Sequence, residues 1–216
     1  MRSLGADVRL VSGGYGEAEQ AGLAYAASHG AVWISPYNDG QVIAGQGSIG
    51  LEIQQDLKDW NEMTWVVPIG GGGLISGIGA SLFSQHTRVR LCAVQAAASP
   101  FFHGLFHSGS QEHIDDLPTL ADGLSGPVEA GSITIPMVRQ MVDDIILVSE
   151  NEISYAIAYA WFTYGEIIEG SAATALAGVL SGKIKHRLAI LIISGGNIQP
   201  EVHARIMADF PEMDSV

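Results

Sequence analysis

Short apolar runs alternate with longer helical patterns along almost the whole chain. "ADVRLV" predicts a strand, "YGEAEQAGLAYAASHG" a helix ended by Gly30, and "AVWISPY" a second strand. The next helix is expected to begin near Gly47 or Ser48 and to run through "IGLEIQQDLKDW", before a buried strand in "TWVVPI". A helix from about Leu74 and the strand "VRLCAVQ" follow, and then a long irregular section from Ala98 to about Gly131. The last third carries "ITIPMVRQMV", the strand "DIILV", helices in "ENEISYAIAYAWFTYG" and "SAATALAGVLSG", the strand "LAILIIS" and a closing helix near "PEVHARIMADF". Ser149 and Glu152 have the spacing of a capping box at the start of the first of those helices. Repeated β–α alternation predicts an α/β fold, a mostly parallel sheet with helices on both faces.

Composition narrows the function classes. The chain has 216 residues, 47% of them hydrophobic, enough for a substantial core. Ten basic against 23 acidic residues give a formal net charge of −13, which would repel a phosphate backbone, so no nucleic-acid partner is expected. Cys92 is the only cysteine, and a buried, inert thiol in a reduced, cytoplasmic compartment is the reading it supports. The first residues have no long apolar core ahead of a small-residue cleavage site, and the longest apolar runs are too short to span a bilayer. A soluble, unprocessed chain is the expectation.

The chemistry concentrates where "VVPIGGGGLISGIGA" sets Gly70, Gly71, Gly72 and Gly73 between an apolar strand and a helix. A turn of this kind gathers backbone N–H groups and the positive end of a helix dipole at one place, and glycine lets an anion approach closely. These four residues are therefore read as a phosphate site; close helix–strand packing explains one or two glycines more easily than four. No Gly-Lys-Ser/Thr follows, which excludes a Walker A loop. The dinucleotide-like spacing of Gly45, Gly47 and Gly50 follows a turn-rich stretch, and close packing at a helix start accounts for it better. His103, His107 and His113 read as solvated loop residues rather than metal ligands, because Gly104 and "SGS" weaken a helix there.

Taken together, "VIAGQGSIGLEI", "VPIGGGGLISGIG", "LADGLSG", "VDDIILVSENEI", "EGSAATALAG" and "IISGGNI" resemble, in order and spacing, the fold type II pyridoxal-phosphate enzymes. The threonine/serine dehydratase and serine racemase group is the most similar, and the resemblance covers almost the whole chain. It implies part of the family's small domain over residues 1–46 and its large cofactor-binding domain over 47–216. It makes pyridoxal 5'-phosphate the ligand of Gly70, Gly71, Gly72 and Gly73, with Ser194 of the "SGGN" motif at the pyridine nitrogen. Gly195, with Gly196, would let the backbone pass close to the ring, and Glu169 corresponds to an acidic position near the cofactor. Ser194 as a turn cap and Glu169 as a first-turn helix carboxylate are the alternatives. Some members hold a divalent cation after the strand equivalent to "LCAVQ"; Gln95-Ala-Ala-Ala-Ser-Pro100-Phe101 offers none of the hard oxygen ligands it prefers, so no metal is expected.

The family's Schiff-base lysine segment and its substrate-carboxylate loop do not occur in this sequence, whose first methionine aligns inside the family's chain. Lys58, Lys183 and Lys185 are the only lysines, and none lies in such a segment. The resemblance thus implies a lyase converting a β-hydroxy amino acid to a 2-oxo acid and ammonia. As this isolated chain it is expected to be inactive and to bind the cofactor non-covalently, with a missing N-terminal segment as a possible partner. A non-catalytic pyridoxal-phosphate- or phosphate-binding remnant, or an interaction domain, is the second reading, and an NAD-binding Rossmann protein the third. A homo-oligomer is expected, with residues before about Gly45 paired across the interface or poorly ordered, since "ADVRLV" and "AVWISPY" would otherwise leave an open edge.

Overall fold

The computed structural model describes residues 1–84, 89–185, 188–211 and 213. These form two compact units, Met1–Ser35 and Pro36–Val216.

The first unit is built around α1 (Tyr15–His29). The Glu17 carboxylate accepts the Gly14 amide at 2.9 Å and closes the helix start, while Gly30, at φ 63°, closes its end. Arg9 lies over the Tyr25 ring, 4.0 Å from its centroid. The expected strands over residues 6–11 and 31–37 do not form; both segments lack a ladder partner among the described residues. Their apolar pattern is that of strands, but a strand exists only when its amides and carbonyls pair. Leu10 and Val32 stay 85% and 86% exposed.

The second unit opens with α2 (Gly40–Asp56), seven residues earlier than its expected start near Gly47. Asp39 causes the difference, its carboxylate accepting the amides of Gln41 at 2.8 Å and Val42 at 3.1 Å. The strands β1 (Thr64–Pro68), β2 (Arg90–Ala96), β3 (Asp144–Val148) and β4 (Ala189–Leu191) make one sheet in the order β3-β2-β1-β4. Every pairing is parallel, with Val66 opposite both Cys92 and Leu191. Between them run α3 (Gly73–Phe83), α4 (Phe101–His107), α5 (Thr134–Met141), α6 (Glu150–Tyr164) and α7 (Gly170–Leu180), and α8 (Pro200–Ala208) closes the unit.

Both sheet faces are covered, which is why β1 is buried along its whole length. Val66, Cys92 and Val94 join Ile153, Ile157, Ala173 and Leu176 in one core with α6 and α7. On the other face α3 comes so close that a Cβ on Gly79 would lie 3.2 Å from Leu91 Cδ2. The small residues of "GSAATALAG" let α7 lie directly on the sheet, where they are all buried. The expected capping box also forms: the Ser149 amide donates to Glu152 at 2.7 Å, and the Ser149 hydroxyl accepts the Glu152 amide at 3.3 Å. No helix among the described residues is long and apolar enough to cross a membrane.

Candidate functional site

Because all four strands are parallel, their carboxyl ends lie on one edge of the sheet, where ligands of open α/β folds collect. β1 leaves that edge through Ile69, whose amide still bonds the Val94 carbonyl at 3.0 Å, and enters the four glycines. Gly72, at φ 87°, turns the chain into α3. The first helical bond is from the Ser76 amide to the Gly72 carbonyl, and no side chain caps this end. The amides of Gly73, Leu74 and Ile75 therefore find no acceptor among the described residues, the arrangement that receives an anion.

Close packing nonetheless accounts for all four glycines. A Cβ on Gly70 would stand 2.9 Å from the Leu124 Cα, one on Gly71 would run into the Tyr37 ring, and one on Gly72 would lie 2.7 Å from Phe102. At Gly73 the obstacle is the Tyr37 backbone, 2.8 Å away. Tyr37 is buried and its hydroxyl accepts the Glu129 amide at 2.8 Å, so it cannot easily yield. Packing and anion binding here ask for the same residues.

Ser194 follows β4, the strand hydrogen-bonded to β1, so it emerges on the same sheet edge as the glycine turn. β4 is shorter than "LAILIIS" suggests: Ile192 makes one last bond to the Val66 carbonyl, 3.0 Å, and the chain leaves the sheet. It meets Glu169 there. The Glu169 amide donates to the Gly195 carbonyl at 3.1 Å, and its carboxylate accepts the Asn197 amide at 3.0 Å. Glu169 does stand at the N-cap of α7, but its side chain makes no cap bond.

Residues 119–124 close the gap between the glycine turn and α7. Thr119 Oγ1 and the Leu120 amide donate to the two oxygens of Glu150 at 2.6 and 2.7 Å. This presses Leu124 against Gly70, while a Cβ on Gly123 would lie 2.9 Å from Ser171 Oγ. That hydroxyl is buried without a partner among the described residues, as is Ser76 Oγ in the first turns of α3. The free amides at the start of α3 fit a polar, anionic group. Sequence reasoning does not find Tyr37, Glu150, Ser171 and Asn197 as parts of this edge. Ser171 and Asn197 lie inside the "EGSAATALAG" and "IISGGNI" stretches without a part assigned to them, and Tyr37 and Glu150 carry no local signal of one.

The lysines stand elsewhere. Lys183 Nζ bonds the Leu147 carbonyl at 2.9 Å and Glu152 at 2.7 Å, beside β3, two strands from β1. Burial pushes the Glu152 carboxyl up, but its hydrogen bonds with Lys183 and Ser149 outweigh that and hold it below its ordinary range. Lys58 and Lys185 are exposed.

His103 and His107 prove to be helical. The buried Gln95 of β2 accepts the His103 amide at 2.9 Å, a cap supplied from another element, and α4 forms despite Gly104. The two rings are 4.3 Å apart between centroids. Burial lowers the His103 pKa and the neighbouring His107 charge adds to it. Among the described residues no group of three or more His, Cys, Asp or Glu could hold a metal ion.

A family model for pyridoxal-phosphate dependent enzymes matches residues 1–195. The chain belongs to that family. An L-threonine ammonia-lyase of Thermotoga maritima is 39% identical over 207 residues, covering 95% of this chain and 51% of the relative. The L-threonine dehydratase catabolic TdcB of Escherichia coli K12 is 45% identical over 178 residues, 78% of this chain and 52% of its own. In structure, threonine deaminase isoform 2 from Solanum lycopersicum superposes with a TM-score of 0.83 at 29% identity, covering 99% of this chain and 58% of the deaminase. Serine racemase from Dictyostelium discoideum gives 0.78 at 32% identity, covering 92% and 64%. The chain spans about half the length of the curated relatives it matches. The fold type II architecture expected from the motifs is the observed one.

Proposed function

We propose that the chain is the cofactor-binding part of a threonine/serine dehydratase-like lyase, acting on a small β-hydroxy amino acid to give a 2-oxo acid and ammonia. The observation that carries this is the placing of the uncapped α3 start and the Ser194 turn on adjacent parallel strands. In this reading the amides of Gly73, Leu74 and Ile75 hold the cofactor phosphate, within the turn of Gly70, Gly71 and Gly72. The Ser194 hydroxyl, which makes no hydrogen bond among the described residues, meets the pyridine nitrogen. As a neutral hydroxyl it leaves that nitrogen without an enforced proton. Gly195 carries the backbone past the ring beside Ser194. Bound there, pyridoxal phosphate supplies an electron sink for Cα deprotonation.

The same reading makes the isolated chain a binder without turnover. Proton transfer at Cα needs an amine within direct reach, and none of the three lysines borders the glycine turn. In this reading a separate segment, acting as a partner, would supply that amine. The division into part of a small domain, residues 1–46, and a large cofactor-binding domain, 47–216, belongs to the proposal, as does a cytoplasmic location, which the single buried Cys92 supports. So does self-association through the exposed apolar positions Leu10, Val32 and Ile34.

Borohydride reduction of the chain mixed with pyridoxal phosphate, followed by peptide mass mapping and an assay for 2-oxo acid, tests the reading. Reversible binding with no stoichiometric lysine adduct and no turnover of threonine or serine is expected. An adduct on Lys58, Lys183 or Lys185 accompanied by rapid 2-oxobutyrate formation would overturn it.

A further inference from the structure

We infer that Glu169 is a positioning residue: it clamps the turn that carries Ser194 and does not itself touch the cofactor. This rests on the cofactor site proposed above for its functional meaning, but its geometry stands without a ligand.

Once Ile192 has made its last bond to β1, nothing in the sheet holds the chain that follows. Among the described residues, the two hydrogen bonds made by Gly195 and Asn197 both go to Glu169, one to its amide and one to its carboxylate. They grip the turn on either side of Gly196. The carboxylate also lies flat against Gly195, where a Cβ would stand 2.7 Å from Glu169 Cδ and Oε1. Gly196 passes equally close to the Ile167 carbonyl, which a Cβ would approach to 2.7 Å. The glycines of the turn are therefore required by the segment around Glu169, independently of any ring above them. Glu169 is itself fixed by the buried start of α7, where Gly170 is pressed against the Leu120 carbonyl. A charge-assisted bond to a backbone amide is stronger than a neutral one, so a carboxylate here holds the turn better than an amide would. Its surroundings open into a cavity of about 480 Å³ lined also by Asp122, Asn197 and Arg205.

Two variants of the 216-residue chain separate this role from simple loss of packing. In the ligand-free protein, the Asn197 amide should be protected from hydrogen exchange in the wild type. Glu169→Ala should remove that protection, and Glu169→Gln, which keeps an acceptor oxygen of the same reach, should restore most of it. Circular dichroism should show both variants folded, since α7 is held by its buried face. Pyridoxal-phosphate affinity, read by ring fluorescence, should fall about tenfold or more in Glu169→Ala and recover in Glu169→Gln. Unchanged Asn197 exchange in a folded Glu169→Ala protein would overturn the clamp while leaving the cofactor site intact. Equal loss of affinity in both variants, with Asn197 still protected in Glu169→Gln, would overturn it too, since it would mean that the charge acts on the ligand directly. A wild type that binds no pyridoxal phosphate yet shows the predicted exchange pattern would support the clamp and count against the cofactor site.

Discussion

Gly47 of α2 and Gly77 of α3 face each other at backbone contact: a Cβ on Gly47 would lie 3.0 Å from the Gly77 carbonyl, and one on Gly77 would be 2.8 Å from the Gly47 amide. Gly50 meets Ser81 one turn further along, whereas nothing lies within 4 Å of a Cβ on Gly45. The three glycines with dinucleotide-like spacing therefore divide by what they touch. Gly77→Ala and Gly47→Ala should each destabilise the protein by about 1–3 kcal/mol through overpacking. Gly45→Ala, in the open interior of the same helix, should stabilise it by roughly 0.5–1 kcal/mol. Urea unfolding of the three variants checks the opposite signs.

Gly72 combines a left-handed backbone, φ 87°, with the Phe102 ring 2.7 Å from where its Cβ would be. Gly72→Ala should cost about 1–2 kcal/mol for the backbone alone, and more from the ring. It should also weaken binding of inorganic phosphate, because the turn that aims the α3 amides must shift. Calorimetric titration with phosphate, beside a thermal melt, reads both effects.

The Ser149–Glu152–Lys183 cluster makes stability depend on pH on the acid side. The folded carboxyl of Glu152 lies below its ordinary value of 4.5, so its stabilising effect is complete above that pH. It is lost as the pH falls through the folded value. Glu152→Gln should flatten this acid limb without changing the shape of the curve above neutrality, as measured by urea midpoints at a series of pH values.

Cys92 is 1% exposed in the middle of β2, and burial pushes its thiol pKa up, outweighing the nearby Arg90. It should be unreactive toward a disulfide reagent in the folded protein and react stoichiometrically in urea. Rapid labelling without denaturant would show that β2 opens locally.

How far the sequence carries depends on whether each signal is local. The α6 start is legible because Ser149 and Glu152 cap within four residues, and β1 because a strand buried on both faces is a continuous apolar run. The start of α2 misleads because its glycines resemble a helix beginning, although Gly47 and Gly50 serve contacts with α3, and Asp39 is the actual cap. α4 escapes a sequence reading because its cap, Gln95, comes from β2. Residues 6–11 and 31–37 have strand patterns without strand partners, and periodicity reports a preference, not a pairing. At the candidate site, motifs point to the glycine turn and Ser194, which the structure brings to one sheet edge. The parts played by Glu150 and Ser171 are not legible, since they depend on where residues 119–124 come to rest.

One cofactor should bridge the glycine turn and the end of β4. Titrating the isotopically labelled chain with pyridoxal phosphate while following backbone amide resonances tests it most directly. Shifts concentrated at both places, residues 70–75 and 194–197, with inorganic phosphate reproducing only the first set, are the predicted result. Shifts confined to one of the two places, or clustered around Lys183 and β3, would contradict the account.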